Sequence, residues 1–101
     1  MIMSKEITVI AKLKAQEGKR DELLKECQAL IKPTHEEAPC IEYKLHVNAD
    51  EPNEFMFYER WKSKEGLDKH LEMPYLVRFI ELAPSLCDGE ADVTIWTKEG
   101  A

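Results

Sequence analysis

The chain has 101 residues and a formal net charge of −6 at pH 7, from 20 acidic and 14 basic residues. This length allows one domain over residues 1–101, and the acidic balance argues against nucleic acid, because phosphate binding needs a basic face. No apolar run approaches the ~20 residues of a membrane span, and the N-terminus lacks the apolar core of a secretory signal.

The first part of the chain is predicted to form a strand and a helix. Apolar and polar residues alternate over Ile7–Lys14, which is typical of a half-buried strand. Gly18 ends this pattern, and a helix is predicted from about Lys19 to Lys32, closed by Pro33. The apolar stripe of that helix contains Leu23, Leu24, Cys27, Leu30 and Ile31.

Two further strands are predicted in the middle of the chain. After a polar loop over His35–Pro39, alternation predicts a second strand over Cys40–Val47. A turn-rich connection over Asn48–Asn53 leads to a third strand over Glu54–Trp61. One face of each strand is mainly apolar: Ile41, Tyr43, Leu45 and Val47 in the second, and Phe55, Phe57, Glu59 and Trp61 in the third.

The last part is predicted to contain two helical segments and a strand. Ser63 is predicted to cap a short helix that carries His70. Pro74 is predicted to open a second segment over Tyr75–Leu86, and the last strand is predicted over Ala91–Lys98. The inward-facing residues of the second segment are predicted to be Leu76, Phe79, Ile80 and Ala83.

The order β-α-β-β-α-β predicts an α+β, ferredoxin-like fold, with both helical regions on one face of a four-stranded antiparallel sheet. The other face mixes apolar side chains with charges that can pair, which favours packing against the sheet of a second copy. A monomer would expose an apolar patch there, so a homodimer through this face is predicted. By alternation the face holds Thr8, Ile10, Lys12, Glu42, Lys44, His46, Met56, Tyr58, Arg60, Asp92, Thr94 and Trp96.

A carboxylate, an indole and an imidazole are predicted to converge where the sheet meets the next helix. Alternation places Glu59 between Phe57 and Trp61 on one face, and a carboxylate among buried aromatics is costly unless it is hydrogen-bonded or protonated. Helical spacing puts His70 on the same apolar side as Leu67. Taken singly, each of these residues is more often a core residue than a ligand contact, but the set predicts a pocket.

The whole chain resembles the antibiotic biosynthesis monooxygenase family, whose members are small dimeric α+β barrels. The resemblance implies the ferredoxin-like fold assembled as a dimeric α/β barrel. The family usually has Gly where this chain has Pro39, and its haem-degrading branch is a poor match, because Ile7–Lys14 contains no Asn. The matching segments are Glu37 to Tyr43, Asp50 to Phe55, Tyr58 to Trp61, and His70 with Pro74 and Tyr75 downstream.

The resemblance implies a monooxygenase that oxidises a quinol or polycyclic phenol with molecular oxygen and without a cofactor. Such chemistry needs a base, aromatic walls and a dry cavity. His70 is the first candidate base, and Glu59 is the alternative, either as the base or as the group that orients His70. The predicted substrate-binding residues are Trp61, Phe57, Tyr43, Tyr75 and Arg78, the last two as stabilisers of a developing oxyanion.

The sequence predicts neither a metal nor a nucleotide cofactor. His35, Glu36 and Glu37 with Cys40 do not have the spacing of a metal site, and there is no glycine-rich phosphate loop. The odd set of three cysteines without C-x-x-C spacing indicates free thiols in a reducing compartment, which predicts a cytoplasmic protein.

Two other functions remain open at this stage. One is a non-catalytic dimeric barrel that binds a small hydrophobic ligand, in a stress or regulatory role. The other is an isomerase of a small carbonyl compound that uses the same base. Oxygen consumption with reduced menadione would separate the monooxygenase from both.

Overall fold

The computed structural model describes residues 5–100 and contains one four-stranded sheet. Its elements in chain order are β1 (Ile7–Lys14), α1 (Arg20–Ala29), α2 (Ile31–His35), β2 (Cys40–Val47), β3 (Glu54–Trp61), α3 (Lys64–Leu71), α4 (Pro74–Leu82), a 3₁₀ turn (Ala83–Ser85) and β4 (Asp92–Thr97). The strands lie in the order β2-β3-β1-β4, and each neighbouring pair is antiparallel. The predicted α+β, ferredoxin-like fold is therefore confirmed.

Both predicted helical regions are divided into two pieces. The first was expected to run unbroken to Lys32, but α1 ends at Ala29 and α2 begins at Ile31. Pro33 lies inside α2 instead of closing the helix. Because proline has no backbone N–H, it cannot donate to the carbonyl of Ala29, four residues earlier, and the α-helical hydrogen bonding is interrupted between α1 and α2. The second region similarly ends as an α-helix at Leu82 and continues as a 3₁₀ turn.

The second strand departs from simple alternation at its start. Cys40 pairs with Trp61 and Glu42 pairs with Arg60, so Ile41 is an extra residue in a β-bulge. Ile41 was expected on the buried face but is exposed, as is Val47 at the other end of this edge strand. The bulge restores the register in which Tyr43 lies opposite Glu59.

The core lies between the helices and one face of the sheet. Every second residue of β3, from Phe55 to Trp61, is buried there, as predicted from the alternation. The edge strand β4 differs, because all six of its residues are exposed. Of the inward-facing residues predicted for α4, Leu76 and Phe79 are buried, whereas Ile80 is 52% exposed beside a cavity.

The position of α3 is fixed at its first turn. The Ser63 side chain accepts a hydrogen bond from the Gly66 N–H at 3.1 Å, which confirms the predicted cap. Gly66 packs against Pro39, and a Cβ at position 66 would lie 2.5 Å from the Pro39 Cβ. Glycine therefore allows the close approach that places the rest of α3, including His70, over the sheet.

Candidate active site

A largely apolar cavity of about 200 Å³ lies between the sheet and helices α3 and α4. Its ionisable lining groups are Glu59 of β3, Lys64 and His70 of α3, and the phenol of Tyr43. At the mouth, Leu71, Ile80, Val93 and Ile95 are all exposed. The remaining lining residues are Val9, Ala11, Leu13, Leu30, Phe57, Leu67, Leu76, Phe79 and Ala91.

The Glu59 carboxyl is held in the cavity wall by the neighbouring indole. Its side chain points to the helix-covered face because β3 alternates, and the residue is 5% exposed. Its Oε1 accepts a hydrogen bond from Trp61 Nε1 at 2.9 Å. Burial raises the pKa of Glu59 from 4.5 to about 7, although the bond from Trp61 opposes the rise. Glu59 is therefore poised to gain or lose a proton near neutral pH.

The His70 imidazole is buried between two aromatic rings and a carboxylate. It is 2% exposed, and its centroid lies 4.6 Å from that of Trp61 and 5.6 Å from that of Tyr43. Its Nδ1 donates to Glu37 Oε2 at 2.7 Å. Burial lowers the pKa of His70, and the Glu37 carboxylate partly offsets that effect. His70 therefore favours its neutral form.

Glu37 is the site residue that the sequence reasoning missed. It follows α2 in the segment expected to be a polar loop, yet it is buried, and Tyr75 also donates its hydroxyl to Oε2. Glu59 was expected either to be the base or to orient His70, but its carboxyl bonds to Trp61, and the carboxylate that contacts His70 is that of Glu37. The available signal was its place in the segment that resembles the family.

The structure brings most of the predicted site residues together. Tyr43 and Phe57 stack with centroids 4.8 Å apart in the cavity wall, and Tyr75 reaches the site through Glu37. Arg78 does not belong to the group, which corrects its predicted role as an oxyanion stabiliser. Its side chain is 67% exposed, and its Nη1 donates to Glu26 Oε1 at 2.9 Å on the outer surface. Lys64, which was not predicted, lines the cavity and pairs with Asp68.

Among residues 5–100, no three His, Cys, Asp or Glu side chains are grouped closely enough to bind a metal ion. Within the same described part of the chain, none of the helices has the length and apolar character required to cross a membrane.

Comparison with known proteins places this chain among its relatives. The family model described as "Antibiotic biosynthesis monooxygenase" matches residues 6–82. The chain belongs to that family. The match extends from β1 to the end of α4, so it includes Glu37, Glu59, His70 and Tyr75. Strand β4, whose Val93 and Ile95 border the cavity, lies beyond the matched range.

Individual proteins are also similar to this chain over most of its length. "Uncharacterized protein sll1783" of Synechocystis is 32% identical over 90 residues; the match covers 89% of this chain but 61% of that protein, less than two thirds of its length. "Putative monooxygenase YcnE" of Bacillus subtilis is 29% identical, covering 86% of this chain and 92% of YcnE. The structure of Rv0793 from Mycobacterium tuberculosis superposes with a TM-score of 0.90 at 27% identity, covering 95% of this chain and 97% of that one.

Proposed function

We propose that this protein is a cofactor-independent monooxygenase that oxidises a quinol or polycyclic phenol with molecular oxygen. The observation that carries the proposal is an apolar cavity into which one carboxyl group and one imidazole are built. The stacked rings of Tyr43 and Phe57 offer a flat wall to an aromatic substrate. Family membership agrees with the reaction class, and the quinol or polycyclic phenol is the substrate class that the family resemblance implies.

The chemistry begins with loss of a proton from the substrate. Triplet oxygen reacts slowly with closed-shell molecules, whereas a phenolate or quinol anion can pass it one electron. The substrate radical and superoxide then join through a new C–O bond, and the returned proton completes a hydroperoxide. Cleavage of its O–O bond with loss of water leaves a hydroxylated quinone, so one oxygen atom enters the product and the other leaves as water. An apolar wall favours these steps because it excludes competing protonation by solvent.

Two groups in the cavity can remove the first proton. Burial favours the neutral form of His70, and its Nε2 has no hydrogen-bond partner among residues 5–100. Glu59 has a pKa of about 7, so its carboxyl group can also exchange a proton near neutral pH. We assign His70 as the base, because the adjacent Glu37 carboxylate compensates the imidazolium that forms. Glu59, when protonated, can donate to a substrate oxygen.

Reduced menadione provides the direct test of the proposed reaction. Purified protein treated with a chelator should consume oxygen with this quinol faster than the spontaneous oxidation, and mass spectrometry should find one added oxygen atom in the product. An oxygen electrode gives the rate, and heat-denatured protein serves as the control. Uptake no faster than the control, with reduced menadione and with a series of polycyclic phenols, would contradict the proposal and favour a ligand-binding role.

A homodimer through the outer face of the sheet is part of the same proposal. Trp96 is 56% exposed there, beside the half-buried Ile10 and Tyr58. Arg60 on that face donates to Glu6 at 2.7 Å and to Glu42 at 2.6 Å, so its charge is already paired and suits a covered surface.

Light scattering tests this assembly. The wild-type protein at micromolar concentration should have twice the mass of one chain, and Trp96→Asp should shift it toward the monomer. Val77→Asp is the matched control, because Val77 is also exposed but belongs to α4. A monomeric wild-type mass, or dissociation by both variants alike, would overturn the proposed interface.

A further inference from the structure

We propose that Glu37 is a positioning residue that fixes the tautomer and orientation of His70, and that Tyr75 holds Glu37 in place. This inference rests on the proposed function, in which His70 is the base. It concerns three residues from three separate elements: Glu37 from the turn after α2, His70 from α3 and Tyr75 from the first turn of α4. Their hydrogen bonds therefore join parts of the chain that are up to 38 positions apart.

The geometry is that of a carboxylate with two donors on one oxygen. His70 Nδ1 and the Tyr75 hydroxyl both bond to Oε2, and the side chains of Glu37 and His70 are 4% and 3% exposed. The other oxygen, Oε1, is buried and has no hydrogen-bond partner among residues 5–100. A buried carboxylate with half of its acceptors unused is costly for folding. A carboxylate at this buried position is therefore explained if it serves to hold His70.

The bond from His70 decides which ring nitrogen can act as a base. A neutral imidazole carries one proton, and the nitrogen opposite a carboxylate keeps it. Nδ1 therefore carries the proton, and the lone pair of Nε2 is free for a proton from the substrate. After that transfer both nitrogens carry protons, and the Glu37 carboxylate faces the new positive charge. Trp61 and Tyr43 flank the ring and limit its rotation.

Glu37→Leu separates this role from simple packing. Leucine fills nearly the space of the glutamate side chain, but it offers no oxygen to accept a hydrogen bond. Tyr75 can still donate to the Pro33 carbonyl, 3.3 Å away, whereas Nδ1 of His70 loses its acceptor. The proton of the neutral imidazole then moves to Nε2, the nitrogen that carries it in a free histidine side chain, and Nε2 can no longer accept a proton from the substrate. If Glu37 only fills space, this substitution leaves the tautomer unchanged.

Nitrogen-15 NMR of histidine-labelled protein reads the tautomer directly, without any substrate. In the wild type at pH 8, His70 should show a protonated Nδ1 and an unprotonated Nε2, and Glu37→Leu should reverse this pattern. With reduced menadione, Glu37→Leu should lower kcat by about 10²–10⁴-fold with little change in KM. Glu36→Leu is the matched control, because Glu36 is the exposed neighbour and should leave both the spectrum and kcat unchanged.

Tyr75→Phe gives a second and milder test that keeps the fold. Loss of its hydroxyl frees Glu37 to move, so kcat should fall about tenfold while KM stays close to that of the wild type, and the Nδ1 signal of His70 should broaden or shift. This variant decides the matter if Glu37→Leu does not fold. An unchanged kcat and an unchanged His70 spectrum in Tyr75→Phe would overturn the role of Tyr75.

The spectrum also separates this inference from the proposed function. A wild-type protein with the proton on Nε2, or a Glu37→Leu variant with the wild-type tautomer, would overturn the role of Glu37 whatever the activity. If no quinol is oxidised but the tautomer reverses as expected, the proposed function fails and the positioning of His70 by Glu37 stands.

Discussion

Replacement of His70 by alanine should lower turnover with reduced menadione by about 10²–10⁴-fold, the usual effect of removing a general base. The loss should appear mainly in kcat, because the apolar walls that bind the substrate remain. Tyr43 and Phe57 should keep their stacked contact when the imidazole is gone, because the two rings contact each other directly, with centroids 4.8 Å apart. Oxygen uptake measured over a range of quinol concentrations separates kcat from KM.

Two controls make this result specific. His46→Ala removes an exposed histidine whose Nδ1 bonds only to the carbonyl of Lys44, and it should retain wild-type turnover. Circular dichroism should show that His70→Ala is folded, because its removal leaves Glu37 with the Tyr75 bond. If His70→Ala and Glu59→Gln both keep full activity, neither residue is catalytic, and their burial is explained by packing alone.

Periodicity predicted the parts of the fold that depend on local spacing. The alternation in Glu54–Trp61 correctly placed Glu59 and Trp61 on one buried face, and helical spacing placed His70 above them. The cap at Ser63 and the helix start at Pro74 follow from single residue types with specific backbone preferences. For this reason the convergence of indole, carboxylate and imidazole could be anticipated from the sequence.

The missed features depend on contacts between distant segments. Glu37 is buried because the turn after α2 packs against His70 of α3 and Tyr75 of α4. The local sequence pattern around Glu37 contains no information about these distant contacts. Arg78 precedes the buried Phe79 in α4. Successive side chains point about 100° apart around a helix, so a small error in the predicted rotation of α4 decides whether Arg78 is placed in the cavity or in solvent. The bulge at Ile41 likewise shifts the register by one residue without a sequence signal.

Glu59→Gln should stabilise the protein in alkaline solution and have little effect in acid. The pKa of Glu59 is about 7 in the folded state and 4.5 in its ordinary state. Below pH 4.5 the carboxyl group is protonated in both the folded and the unfolded state, so its ionisation does not affect the free energy of unfolding. Between these values the unfolded chain releases the proton while the folded chain keeps it, and the free energy of unfolding therefore decreases as the pH rises. Above pH 7 the decrease is complete.

The size of this effect follows from the two pKa values. At about 1.4 kcal/mol for each pKa unit, ionisation of Glu59 lowers the free energy of unfolding by about 3 kcal/mol at pH 8. Gln cannot ionise, and its amide oxygen can still accept the hydrogen bond from Trp61 Nε1. Relative to the wild type, Glu59→Gln should therefore gain about 3 kcal/mol between pH 4 and pH 8.

Urea unfolding at pH 4, 6 and 8, with protein concentration held constant, measures this difference. Glu65→Gln is the control, because Glu65 is exposed on α3 and its replacement should follow the wild-type dependence on pH. A constant difference between Glu59→Gln and the wild type at all three pH values would mean that Glu59 ionises in the fold as easily as in the unfolded chain. The carboxyl would then be fully charged at neutral pH, and it could not donate a proton to a substrate oxygen.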